Sequence, residues 1–174
     1  TRARVAREQV TVYGDFDADG VCATALLLMS LRELGIDAQA YIPDRFNEAY
    51  GLNTPALEKL HASGTRLVVT VDCGVRSLAE VRDANALGLD IIITDHHSIP
   101  TELPPALAVI DPKQADCAYP FKELSGVGIA YQLARALQNT LAGTEPDDTL
   151  LELVAIGTVS DIVPLTGENR SLVQ

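Results

Sequence analysis

Tryptophan is absent and aromatic residues make up only 5% of the 174 positions, which leaves no evident platform for stacking nucleobases. Cations are scarce as well, with 13 Lys and Arg against 24 Asp and Glu and a net charge of −11. Affinity for a polyanion is largely cation-driven, so this segment is not expected to grip a nucleic acid by itself. The three cysteines, Cys22, Cys73 and Cys117, are odd in number and form no C-x-x-C pair. A disulfide scaffold and a structural zinc site are both poor readings, and reduced thiols of a cytoplasmic protein are expected. No apolar run approaches the roughly 18 residues that a membrane-spanning helix needs; Val21 to Leu31 is broken by Thr24 and Ser30. The charged opening Thr1 to Gln9 starts without Met and has no apolar stretch behind it. We therefore expect no signal peptide and read the chain as part of a longer protein.

What remains is apolar and folded, with 47% hydrophobic residues and a mean hydropathy of +0.14. Apolar runs alternate with helical stripes along the chain. Strands are expected at Val10–Gly14, Asp37–Ile42, Arg66–Val71 and Asp90–Thr94, with a weaker one at Leu107–Ile110. Helices are expected at Val21–Leu34, Thr54–Ala62 and Ser77–Leu87, then at Gly126–Leu141 and Asp148–Ile162. Asn53 and Ser125 are placed to cap two of them, and Gly35, Gly64 and Gly88 to end three. This alternation predicts an α/β fold: a doubly wound, mostly parallel sheet with helices on both faces and a helical C-terminal part.

Three expected strands run directly into chemistry: Asp15, Asp17 and Asp19 after the first, Asp72 after the third, and Asp95, His96 and His97 after the fourth. In a parallel sheet these positions share one edge, where open α/β folds place their sites. So many carboxylates and imidazoles together are costly unless something positive sits among them, and a divalent metal is the simplest compensation.

The D-x-D-x-D-G run could instead be a calcium loop. Its twelfth position is Leu26, where a bidentate Glu is needed. A phosphoaspartyl enzyme with Asp15 as nucleophile would want a balancing lysine, and of Lys59, Lys113 and Lys122 only Lys113 follows an expected strand. Asp19 reads equally as a helix cap or a ligand. Consecutive side chains leaving a strand diverge, so one of His96 and His97 is expected to bind metal and the other to face substrate, with Asp95 fixing a tautomer. Asp161 is an acid within an apolar stretch, which calls for a partner or an ion.

Oxygen ligands with one nitrogen suit Mn²⁺ or Mg²⁺, and two ions bridged by a carboxylate serve phosphoester hydrolysis. The amides of Gly126 and Val127 could face an anion, although a plain turn capped by Ser125 is the simpler reading. Arg170 could contact phosphate or be a solvated cation.

The runs Gly14–Gly20, Val71–Gly74, Thr94–His97, Leu124–Gly128 and Gly157–Leu165 together resemble the successive motifs of the DHH phosphoesterases, and the likeness spans about Val10 to Arg170. Ser125–Gly128 and Gly167–Arg170 are most similar to the branch of single-strand-specific exonucleases. The resemblance implies one DHH catalytic domain over residues 1–174 that hydrolyses single-stranded DNA from the 5′ end to 5′-mononucleotides in repair and recombination. A single-strand-binding protein and a helicase are the implied further partners.

The same resemblance makes Asp15, Asp17, Asp72, His96 and Asp161 ligands of two ions, with Asp72 bridging. It gives His97 the scissile phosphate and Asp95 the support of the histidines; Ser125, Gly126 and Arg170 stand beside them, from the reading of the residues, as candidate contacts to substrate. Thr11 stands where family members acting on small substrates carry a His, which leaves the make-up of the first metal site open. Branch members also carry a DHH-associated domain and often an oligonucleotide-binding fold, and such parts would supply the basic groove that this acidic segment lacks. The rivals are a phosphodiesterase for oligoribonucleotides or cyclic dinucleotides, which Thr11 disfavours, and a catalytically silent replication scaffold, which should have lost ligands.

Overall fold

The computed structural model describes residues 1–48 and 50–174. The chain runs α1 (Arg2–Ala6), β1 (Gln9–Tyr13), α2 (Ala18–Glu33), β2 (Ala38–Tyr41), α3 (Thr54–Ala62), β3 (Thr65–Thr70), α4 (Leu78–Leu87), β4 (Asp90–Thr94), β5 (Ala108–Ile110), α5 (Gly126–Leu141), α6 (Leu150–Ser160) and α7 (Gly167–Val173). The five strands form one sheet in the order β2-β1-β3-β4-β5, and every pairing is parallel.

Alternation along the strands sends side chains to two cores. Val10, Val12 and Val69 pack with Leu26, Leu27, Val127 and Val154 of α2, α5 and α6 on one face. Tyr13, Val68, Ile91 and Ile93 pack with Leu57, Leu60, Val81 and Ala84 of α3 and α4 on the other. Burial on both faces is why these strands read as unbroken apolar runs instead of alternating ones. Two helix caps stand where the sequence placed them: Asn53 accepts from the Ala56 amide at 2.8 Å and Ser125 from that of Gly128 at 3.2 Å.

The sheet order reverses between β1 and β3, since the chain leaves β1 outward to β2 and returns on the far side to β3. Strand ends at such a switch point splay their connections and open a crevice at the carboxyl edge. Asp15 and Asp72 flank that crevice. Among the described residues no helix is long and apolar enough to cross a membrane.

Candidate metal centre

Four strands of the sheet deliver an acid to the same edge: Asp15 beyond β1, Asp72 beyond β3, Asp95 beyond β4 and Asp111 beyond β5. Asp15, Asp72, Asp95 and Asp111 are no more than 3% exposed. Asp17, in contrast, lies in the open and caps α2, its Oδ1 accepting from the Gly20 amide at 2.9 Å. Asp161 is the C-cap of α6, and the next residue, Ile162, has φ 61. Asp72 also adopts a left-handed backbone, with φ 62. Non-glycine residues seldom hold that conformation without a surrounding that fixes it, and such strain gathers at functional sites.

These side chains converge. Ligand atoms of Asp15, Asp17 and Asp72 lie within 4.8 Å of one another, as do those of Asp72, His96 and His97, and those of Asp19, His96 and Asp161. Asp72 and His96 thus join neighbouring clusters. His96 Nε2 is 2.9 Å from Asp72 Oδ1 and 3.7 Å from Asp161 Oδ2. The shorter approach lacks the alignment of a hydrogen bond, and Asp72 Oδ1 and both His96 nitrogens are buried without a partner. Unpaired buried polar atoms are expensive. A divalent cation drawn to hard oxygens and one imidazole nitrogen would satisfy them, so the residues present fit such an ion.

Electrostatics point the same way. Burial, reinforced by the charges of Asp19 and Asp17, pushes the Asp72 carboxyl up to about 10. Burial likewise raises Asp15 and Asp161. A bound cation reverses this logic by favouring the ionised form.

Asp95 is the organiser of the histidine pair. Its Oδ1 accepts from the His96 amide at 2.7 Å and the His97 amide at 3.1 Å and lies 2.7 Å from His97 Nδ1, while Oδ2 accepts from the Val75 amide at 2.9 Å. Burial alone would raise Asp95, but the bonds from His97 and Val75 hold it below the usual carboxylate range. The same bond to Asp95 pushes His97 up to about 9, so its ring is cationic at neutral pH. With Nδ1 held, His97 turns Nε2 outward, 3.3 Å from the Tyr50 hydroxyl.

Several expected roles are corrected by these placements. Asp19 does not cap its own helix. Its carboxylate crosses to the start of α5, where Oδ2 accepts from Gly126 N at 2.7 Å and Oδ1 from Val127 N at 2.8 Å. The anion met by those amides is therefore Asp19, and the Gly126 amide is not free for substrate. Ser125 is fully buried, and its hydroxyl lies 2.8 Å from that of Thr158, so it too faces the interior. Gly126 matters for another reason: a Cβ there would stand 2.6 Å from Asp72 Oδ1. Arg170 is exposed on α7 and is not brought into the cluster by any side-chain hydrogen bond or ion pair among the described residues. Thr11 sits in mid-strand, its hydroxyl 2.8 Å from that of Thr65, and fills a polar contact with Gln39 away from the acids. Cys22 and Cys73 are buried thiols and Cys117 is partly buried.

Two neighbours of the site carried no sequence signal. Tyr50, whose hydroxyl also donates to the Asp72 carbonyl at 3.4 Å, lies in a stretch without periodicity. Asp111 looked like the break after a weak strand.

Comparison with known proteins agrees with this geometry. The sequence model of the DHH family, N-terminal domain, matches residues 9–158. The single-stranded-DNA-specific exonuclease RecJ of Bacillus subtilis is 49% identical over 164 residues, which cover 94% of this chain and 20% of that protein. A crystal structure of exonuclease RecJ bound to manganese superposes with a TM-score of 0.88 at 38% identity, covering 99% of this chain and 43% of the other. RecJ of Thermus thermophilus, crystallised in complex with Mn²⁺, gives a TM-score of 0.82 at 34% identity and covers 98% of this chain and 24% of the other. The chain thus spans well under two thirds of each relative. With the family model matching most of its length and the motif residues meeting at one edge of the sheet, the chain belongs to the DHH family.

Proposed function

We propose that this chain is the metal-bearing domain of a nuclease that hydrolyses the phosphodiesters of single-stranded DNA from the 5′ end and releases 5′-mononucleotides in repair and recombination. The observation that carries the reading is the meeting of Asp15, Asp17, Asp72, His96 and Asp161 around buried ligand atoms that no protein group satisfies. Likeness to RecJ, a single-stranded-DNA-specific exonuclease, supports the substrate class; the 5′ polarity is what the motif resemblance implies.

In this reading Asp15, Asp17 and Asp72 would hold one divalent ion, and Asp72, His96 and Asp161 would hold a second, with Mn²⁺ favoured over Mg²⁺ by the imidazole. Bound there, the pair would supply a water of lowered pKa and positive charge beside the leaving oxygen. The chain's own residues do the rest. Asp95 orients His97 so that its Nε2–H donates to a phosphate oxygen, and the imidazolium balances part of the charge that builds there. Without substrate that Nε2–H rests on the Tyr50 hydroxyl, 3.3 Å away, which a phosphate oxygen would displace.

The net charge of −11 offers no basic track for a DNA strand. We therefore assign the grip on DNA to further domains of the kind that lengthen the RecJ relatives. A cytoplasmic setting and work alongside a single-strand-binding protein and a helicase belong to the same reading. In the full-length protein Asp72→Ala should abolish Mn²⁺-dependent release of nucleotides from single-stranded DNA, and retained turnover would refute the bridging role. A 5′-labelled strand should lose its label before it shortens from the 3′ end; the reverse order would refute the polarity.

A further inference from the structure

Metal-binding histidines almost always give their second ring N–H to an acceptor that fixes tautomer and orientation. His97 has such an acceptor in Asp95. His96 does not. Its Nε2 faces Asp72 and Asp161, so Nε2 is the metal-side nitrogen, and its Nδ1 is buried without a hydrogen-bond partner.

Among the described residues the other buried side-chain oxygens without a partner are those of Gln9, Ser30, Asp72, Asp111, Gln138 and Asn169. Asp72 already faces Nε2. Gln9 opens β1 at the opposite edge of the sheet, Ser30 and Gln138 lie far along α2 and α5, and Asn169 is tied by its amide to the Glu123 and Pro164 carbonyls. Only Asp111 shares the edge of His96. The β4–β5 pairing sets Thr94 beside Ile110, and the Asp95 amide donates to the Ile110 carbonyl at 3.1 Å, which places Asp111 next to the Asp95-His96 step.

Asp111 is 1% exposed and half satisfied: Oδ1 accepts from the Lys113 amide at 2.8 Å, whereas Oδ2 has no partner. Burial pushes this carboxyl up to about 6, and His96 is among the groups that pull it back, so the two sense each other electrostatically. No direct hydrogen bond or ion pair joins them. A buried donor and a buried acceptor on the ends of paired strands, with no hydrogen bond between them, are the setting in which a protein keeps an internal water.

We propose that Asp111 is the positioning residue of His96, its Oδ2 accepting, through one bridging water, the proton on His96 Nδ1 and so holding the Nε2 lone pair toward the ion. The inference rests on the metal reading above and extends it. It makes Asp111 the counterpart of Asp95, one acid for each histidine, delivered by adjacent strands.

The test uses Asp111→Asn, which keeps the shape and one acceptor, and Asp111→Leu, which removes both acceptors. Mn²⁺ binding is measured by calorimetry, and the His96 tautomer by nitrogen-15 correlation of the ring in the metal-free protein, where no ion dictates it. Loss of an outer acceptor typically costs about 10-fold to 100-fold in metal affinity, and that loss is expected for Asp111→Leu, with a smaller one for Asp111→Asn. The ring of His96 should carry its proton on Nδ1 in the parent and show a mixed tautomer in the variants. Should Asp111→Leu fail to fold, Asp111→Asn and the ring signals decide the matter. Parent-like affinity and an unchanged tautomer in Asp111→Asn would overturn the inference alone. Failure of the parent chain itself to bind Mn²⁺ would overturn the metal reading and this inference together.

Discussion

Gly126→Ala isolates the geometry of the centre without touching a ligand. A Cβ at that position would lie 2.6 Å from both Oδ1 and Cβ of Asp72. Ordinary carbon contacts begin near 3.5 Å, so Asp72 or the start of α5 must retreat by about 0.9 Å. Asp19 pins the α5 end through the Gly126 and Val127 amides, at 2.7 and 2.8 Å, which makes Asp72 the side that gives. The effect on stability should be small. Overpacking costs about 1–3 kcal/mol, and replacing Gly at a position with ordinary φ returns about 0.4–1 kcal/mol by restricting the unfolded chain. A net loss of about 1–2 kcal/mol would lower the melting temperature by only several degrees in a domain of this size. Function should suffer far more, because a displacement of about 1 Å at a catalytic centre can cost about 100-fold. Gly128→Ala, on the same helix, is the control, since its Cβ would meet Leu124 and Ser125 at 3.2 Å and not the acids. Calorimetric titration with Mn²⁺ and thermal melts of both variants are the assay. If Gly126→Ala bound Mn²⁺ as the parent does, Asp72 would not be the shared ligand and the reasoning would fail.

Replacing His97 with Ala should reduce turnover on single-stranded DNA by about 100-fold or more while leaving Mn²⁺ affinity within a few-fold, and an equal fall in both would make His97 a metal ligand. Without metal, the domain should lose stability as pH rises. Asp19 and Asp111 sit near about 6 and Asp72 near about 10 in the folded state, above the roughly 3.9 of an unfolded Asp, so the folded chain retains protons that the unfolded one releases. His97, raised to about 9, acts in the same direction, and Asp95, which is lowered, counts only in acid. Melting temperatures in EDTA should therefore decline from pH 5 to pH 8, and the gain on adding Mn²⁺ should grow over that interval; a flat or rising profile in EDTA would contradict this.

Much of the frame was legible because it is written in local signals. The runs Thr54–Ala62, Asp90–Thr94 and Gly126–Leu141 coincide with α3, β4 and α5, each bounded by a cap, a glycine or a clear change in pattern. Ends without such marks drifted: the apolar stretch to Ile162 implies a longer helix, whereas α6 stops at Ser160 and the chain turns left-handed at Ile162. The five-residue α1 and seven-residue α7 are too short to show a hydrophobic period, and α7 begins on Gly167 with φ 50. At the site, acids directly after strands could be placed on one edge by topology alone. What the sequence could not show is contact between distant segments. Asp19 and Gly126 are 107 residues apart, and nothing local says that one carboxylate caps the other helix. Asp111 was hidden by a three-residue strand, and Tyr50 by a loop whose path only the tertiary fold sets.

The central claim is that two ions share Asp72, and anomalous diffraction at the manganese edge from crystals grown with Mn²⁺ tests it most directly. The account predicts two peaks about 3.5–4 Å apart, one beside Asp15 and Asp17, the other beside His96 and Asp161, with Asp72 between them. Peaks elsewhere on the surface, or none within reach of Asp72, would contradict it.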